Sequence, residues 1–160
     1  MKKIVTVDVL GGKHEANVED LIPKVHVYGI AVQDGKALIS PQFDGYDWPG
    51  GTFELGENTI ETLRREFKEE TGYDVEPTKL LAIHTSFFHH LKKDLDYQSF
   101  LVFYAVKIVD GEISTAGFDV DEKEYASEAK WVNIDELHKM KYACSLDIAE
   151  ELISYAKELV

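Results

Sequence analysis

Acidic side chains crowd the stretch from Gly50 to Tyr73, where Glu57, Glu66, Glu69 and Glu70 share a short segment with Arg65 and the Gly50-Gly51 pair. From Gly51 onward the literal spacing is G-x(5)-E-x(7)-R-E-F-x-E-E-x-G-Y. At about 100° per residue, a helix through it sets Glu66, Glu69 and Glu70 within roughly 100° of arc. Ile60, Leu63 and Phe67 form a separate apolar stripe. Glu70 lies nearest that stripe, so it is expected to be the most desolvated of the three acids. Like charges one turn apart cost a helix about 0.2–0.5 kcal/mol per pair. A hard divalent cation, Mg²⁺ or Mn²⁺, would turn that repulsion into coordination. The Gly50-Gly51 carbonyls offer a further oxygen, because glycine lets the backbone come close. Arg65, one turn before Glu69, is spaced to hold its carboxylate. An acidic helix face alone reads as solvated surface; the whole pattern reads as a carboxylate-held metal site.

The elements that must position these groups follow from periodicity and turn chemistry. Asn58 to Thr71 is the helix, with Asn58 or Thr59 capping its start and Gly72 its end. Val25 to Val32 and Lys36 to Ser40 flank Asp34-Gly35, the signature of a two-residue hairpin turn. Pro41 to Gly51 reads as a structured loop. Lys3 to Val9 reads as a strand ended by Gly11-Gly12, and His14 to Pro23 as a loop or short helical turn. Lys79 to Phe88 and Tyr97 to Val109 are two long strands, and Glu112 to Ser127 is acidic and irregular. Ala129 to Asn133 is a short strand leading to a brief helix near Asp135. Leu146, Ala149, Leu152, Ile153, Ala156 and Leu159 recur at helical spacing. The irregular alternation predicts an α/β (α+β) fold, a mixed sheet flanked by helices.

Composition narrows the partners. The 160 residues fit one ordinary domain. Thirty acidic against 17 basic residues give a net charge of −13, with only two arginines, Arg64 and Arg65. Such a surface repels nucleic acid polymers and anionic membranes. A small phosphorylated ligand is compatible with it if a divalent metal supplies positive charge. No apolar run approaches membrane-spanning length, and the sole cysteine, Cys144, excludes an internal disulfide. The expected location is cytoplasmic. His89-His90 beside Phe87-Phe88 reads as ordinary strand sequence near a hairpin, with a base-stacking pocket as the alternative; Phe43, Tyr46 and Trp48 pose the same question. Asp119-Val120-Asp121 fails as a calcium loop, because Glu124 and Lys130 stand where glycine and glutamate are required.

The segment from Gly51 to Tyr73 resembles the Nudix box, with Trp48-Pro49-Gly50-Gly51 and Glu54-Leu55-Gly56-Glu57 similar to its usual lead-in. The likeness extends more loosely over most of residues 24 to 140. Phe67 and Tyr73 depart from its two aliphatic positions, and Ser40-Pro41-Gln42 lacks the basic residue many relatives carry there. The resemblance implies a Nudix-like α/β/α sandwich over 1–160, with the box at 51–73 and an extra N-terminal strand and loop at 1–23. It implies a metal-dependent hydrolase that cleaves the diphosphate linkage of a nucleoside diphosphate joined to another moiety. The substrate would be a small phosphorylated nucleotide such as a nucleoside triphosphate or nucleotide sugar. Carried over by position, Glu66, Glu69 and Glu70 hold Mg²⁺ or Mn²⁺. Glu57 supports the cluster, Arg65 orients it, and the Gly51 backbone contributes an oxygen. The general base would be a box glutamate or a late-loop one, Glu122, Glu124 or Glu128. The proline or tyrosine that marks two specialised subfamilies shortly after the box is absent from His84 to Leu91. The alternative is a non-catalytic domain that senses a nucleotide or nucleotide sugar on the same scaffold. The Lys3 to Val9 strand could pair within the domain or with a second copy in a homodimer.

Overall fold

The computed structural model describes residues 1–42, 45–120, 122–143 and 146–160. Phe43, Asp121 and Cys144, singled out above, lie outside the described residues. The chain runs β1 (Lys3–Val7), β2 (Lys13–Asn17), β3 (Ile22–Gln33), β4 (Lys36–Gln42), β5 (Gly45–Asp47) and β6 (Gly50–Thr52). Then come α1 (Thr59–Thr71), β7 (Tyr73–His90), β8 (Leu95–Gly111), α2 (Glu122–Tyr125), β9 (Lys130–Asn133) and α3 (Leu146–Glu158).

The strands form one mixed sheet in the order β2-β1-β7-β8-β3-β4-β5, with β6 paired to β3 and β9 to β4. Strand alternation divides the core between its two faces. Val27, Ala31, Leu38 and Val102 pack against Leu63 and Phe67 of α1. Ile30, Ile39, Leu101 and Phe103 point the other way, toward Leu152, Ile153 and Ala156 of α3. The α/β architecture with a mixed sheet is therefore the one the periodicities predict.

Local chemistry explains the sharpest boundaries. Asp34 and Gly35 both take positive φ, 49° and 72°, the conformation a two-residue hairpin between right-twisted strands needs. Asn58 caps α1, accepting from the Ile60 and Glu61 amides, while the Glu61 side chain accepts from the Asn58 amide. Gly72 closes the helix in the left-handed conformation.

The region after Gly12 departs from expectation. Lys13–Asn17 is a strand and not a loop, because it pairs antiparallel with β1 from Lys3↔Asn17 to Val7↔Lys13. Of its five residues only Ala16 is buried, so its own sequence carries almost no period-2 signal. A short 3-10 turn, Val18–Asp20, then leads into β3, which starts at Ile22 because it pairs in parallel with β8 from Tyr97 onward. The expected loop at 41–51 also contributes the short strands β5 and β6. The β7–β8 ribbon is continuous from Tyr73↔Gly111 to His90↔Leu95, and its register shifts all lie before Ala82. Among the described residues, no helix is long and apolar enough to cross a membrane.

Candidate active site

Three elements meet at the box: α1, the β6 strand and the end of β4. The buried residues of α1 are Thr62, Leu63, Glu66, Phe67, Glu70 and Thr71. They cover roughly half the helix circumference. The acids thus do not form a face apart from the core, since Glu66 and Glu70 are buried beside the apolar stripe. Packing explains it: β6 pairs with β3 through Gly50 and Gly51, which bring no side chains to this surface. A Cβ added at Gly51 would sit 2.4 Å from Glu66 Oε2, so a side chain there would displace that carboxylate.

Glu70 is the most buried of the three acids, as its position on the helix predicts. The Ser40 hydroxyl and the Gly50 amide donate to its Oε2, both at 3.1 Å, and the Gln42 amide donates to Oε1 at 2.9 Å. Burial pushes its carboxyl well above the usual range, and the Gly50 amide only partly opposes this. The segment Ser40-Pro41-Gln42, which lacks the basic residue expected there, therefore supplies neutral donors to a box glutamate. Asp47, at the same wall, is pushed up to about 7 by burial, against a hydrogen bond from the Trp48 amide.

Arg65 organises the remaining acids. Its Nε and Nη2 donate to the two oxygens of Glu57 at 2.6 and 2.9 Å, a bidentate pair. Nη1 reaches Glu66 at 2.8 Å and Glu69 at 3.3 Å, and Nη2 also donates to the Thr52 carbonyl. The Thr62 hydroxyl and the Glu54 amide complete the surroundings of Glu57. The Arg65 hydrogen bonds hold the Glu57 carboxyl down to about 2. Arg65 thus contacts Glu57 and Glu66 as well as the expected Glu69.

The donor set is all oxygen, the chemistry of Mg²⁺ or Mn²⁺. The cradle at Gly51 beside Glu66, and a Glu70 whose charge burial opposes, fit such a cation. Among the described residues no three acidic, histidine or cysteine side chains already converge as a metal cage.

These groups form one end of a cleft of about 1080 Å³. His26, Tyr28, Lys24, Leu101, Asp47 and Asp119 also line it, and of these the sequence raises only Asp119, as part of a rejected calcium loop. Burial, with Lys24 nearby, holds the His26 imidazole down to about 4. Phe87 and Phe88 line the cleft as well, whereas His89 is buried away from it in a polar network. The late-loop candidates behave differently. Glu124 is exposed on α2, 3.7 Å from Lys92, and Glu128 is exposed too, so neither lines the cleft. The Glu122 side chain lies outside the described ones. Among the described residues, the late-loop acid that lines the cleft is Asp119.

Comparison with known proteins bears on the family and the fold. A family profile described as the NUDIX domain matches residues 22–152. The chain is 34% identical over 95 residues to the YjhB protein of Bacillus subtilis, whose name provisionally assigns ADP-ribose pyrophosphatase activity. That match covers 58% of this chain and 45% of that one. It is 33% identical over 112 residues to the ADP-ribose pyrophosphatase of Methanocaldococcus jannaschii, covering 66% of this chain and 62% of the other. The chain therefore spans about half to three fifths of the length of these curated relatives. Among solved structures, an ADP-ribose pyrophosphatase from Streptococcus suis superposes with a TM-score of 0.62 at 20% identity. That superposition covers 86% of this chain and 92% of the other, and shows the shared fold. The chain belongs to the NUDIX family.

Proposed function

We propose that this NUDIX-family chain hydrolyses the diphosphate linkage of a nucleoside diphosphate joined to a second moiety, with ADP-ribose the first compound to test. The observation that carries the reading is the cluster of Glu57, Glu66 and Glu69 gathered by Arg65 against Gly51, with Glu70 held beside it by the Gly50 amide, in a cleft large enough for a dinucleotide-sized ligand. The names of the two curated relatives support the choice of ADP-ribose.

Glu66, Glu69 and Glu70, with the Gly51 carbonyl, would hold Mg²⁺ or Mn²⁺. Such a cation, when bound, offsets charge on phosphoryl oxygens and lowers the pKa of an attacking water. The chain's own groups supply orientation. Glu57 fixes the guanidinium plane of Arg65, and Arg65 in turn fixes Glu66 and Glu69. Ser40, Gln42 and Gly50 hold Glu70 in one rotamer. Among the described side chains the proton-accepting role falls to the box helix or to Asp119, since Glu124 and Glu128 do not line the cleft.

Release of nucleoside monophosphate from ADP-ribose, nucleotide sugars and nucleoside triphosphates, with Mg²⁺, with Mn²⁺ and with chelator, tests this. Metal-dependent release from any of them supports the reading; no release from all of them overturns it. A second reading is a domain that binds a nucleotide without cleaving it. Saturable binding with no turnover in either metal would establish it.

A further inference from the structure

One border of the cleft comes from outside the residues that match the NUDIX profile. Val7 of β1, with Val9 and Leu10 just after it, lines the same cleft as Glu66, Glu69 and Glu70. Val7 stands in parallel register beside Phe88 of β7, another lining residue. The three aliphatic side chains are open to solvent: Val7 is 40% exposed, Val9 39% and Leu10 76%. Apolar surface gathered at one end of a polar cleft marks a place a ligand covers.

This border is anchored. The Thr6 hydroxyl donates to Asp96 at 2.6 Å. Asp8 Oδ1 accepts from the Leu10 and Gly12 amides at 2.8 and 2.9 Å, and Asp8 Oδ2 lies 2.7 Å from His14 Nε2. The His14 ring stacks on His89 at 3.8 Å, and His89 Nδ1 lies 3.1 Å from Asp96. Thr6, Asp8 and His89 are buried. A buried and fully partnered polar network fixes the geometry of what it joins. Here it joins the N-terminal hairpin to the tip of the β7–β8 ribbon, so Val7, Val9 and Leu10 are held in place before any ligand arrives.

We propose that Val7, Val9, Leu10 and Phe88 form the subsite for the nucleobase, the flat apolar part of the substrate, with the diphosphate at the opposite, acidic end. The assignment of ends rests on the function proposed above. A second copy of the chain is a poorer occupant. The strip lines the same cleft as Lys24 and His26, while the free edge of the sheet, β2, carries Lys13, His14, Glu15 and Asn17 and discourages strand addition.

The test separates this proposal from catalysis by using ligands that are not cleaved. AMP and ribose 5-phosphate share sugar and phosphate and differ only in the base. Titrated into methyl-labelled protein with Mg²⁺, AMP is expected to shift the methyl resonances of Val7, Val9 and Leu10, and ribose 5-phosphate to leave them in place. Leu10→Ser, at an exposed turn position, is expected to weaken AMP binding about fivefold with an unchanged melting temperature. Base-independent shifts, or an AMP affinity unchanged in Leu10→Ser, overturn the subsite whether or not the protein hydrolyses ADP-ribose. A loss of self-association in Leu10→Ser by sedimentation, with AMP affinity unchanged, would instead assign the strip to a dimer contact.

Discussion

At the acidic end of the cleft, the ion pairs of Arg65 span short stretches of chain: it holds Glu57 eight residues away and Glu69 four away, all formally charged. At the other end, local contacts around Asp8 and Asp96 are tied to each other across the chain. Thr6 reaches Asp96 across 90 residues, and the partners are hydroxyls, amides and imidazoles around two aspartates. The first end gathers three carboxylates around one guanidinium, so its geometry answers to positive charge. The second already has its polar groups paired and is built to stay still. One end of this cleft is arranged for chemistry and the other for shape.

Substitutions should separate the two ends. The largest effect is expected from Glu69→Gln, which should lower turnover on the best substrate about 100-fold or more while circular dichroism and the melting temperature change little. Turnover within tenfold of wild type would remove Glu69 from the reacting groups. Arg65→Lys keeps the charge and loses the bidentate geometry. It should destabilise the chain by about 2 kcal/mol in denaturant unfolding and lower activity as well, since Glu66 and Glu69 lose their common anchor. Gly51→Ala would push a methyl group against Glu66, and a displaced carboxylate should cost activity about tenfold with a smaller effect on stability.

The hairpin end should respond to acid. Hydrogen bonding to His14 and to the Gly12 and Leu10 amides holds the Asp8 carboxyl below its ordinary 3.8. Asp96 is also lowered: burial opposes its charge, but Thr6 and His89 outweigh it. Both carboxyls are depressed in the folded state, so the stabilisation they give is fully present above 3.8 and fades as pH falls below it. Hydrogen-exchange protection of the β1 and β2 amides should therefore drop as pH falls below 3.8, and Asp8→Asn should remove much of that dependence. The smallest effect is expected at the exposed pair of Lys3 and Glu15. Lys3→Ala should change stability by less than about 0.5 kcal/mol.

The same contrast explains what the sequence makes legible. The box helix announces itself because caps, apolar stripe and acids all lie within one local period, and Asp34-Gly35 announces its hairpin within two residues. Even there, Glu70 is legible as the most desolvated acid, but the burial of Glu66 is not, since it depends on glycines of β6 brought in by pairing with β3. The β2 strand is opaque because its identity comes from β1, not from its own five residues. Asp47, Asp119 and His26 reach the cleft through tertiary placement, while Glu124 and Glu128, chosen for being acidic and near Trp131, fall outside it. Phe87 and Phe88 sit between the two cases. Their composition raises a binding role, but only the fold gives them a cleft to line.

The β7–β8 ribbon makes its irregularities unequal in their consequences. From Ile83↔Val102 to His90↔Leu95 every residue has one partner, whereas the shifts are confined to the stretch nearer α1. Strand side chains alternate, so losing a single residue between Ile83 and Phe87 would swap the faces of Phe87 and Phe88 and carry His89 out of its network. The same deletion between Pro77 and Lys79 falls where pairing is already broken and can be absorbed there. Length variation in this hairpin should therefore be tolerated near its base and forbidden toward its tip, which a scan of single-codon deletions would map directly.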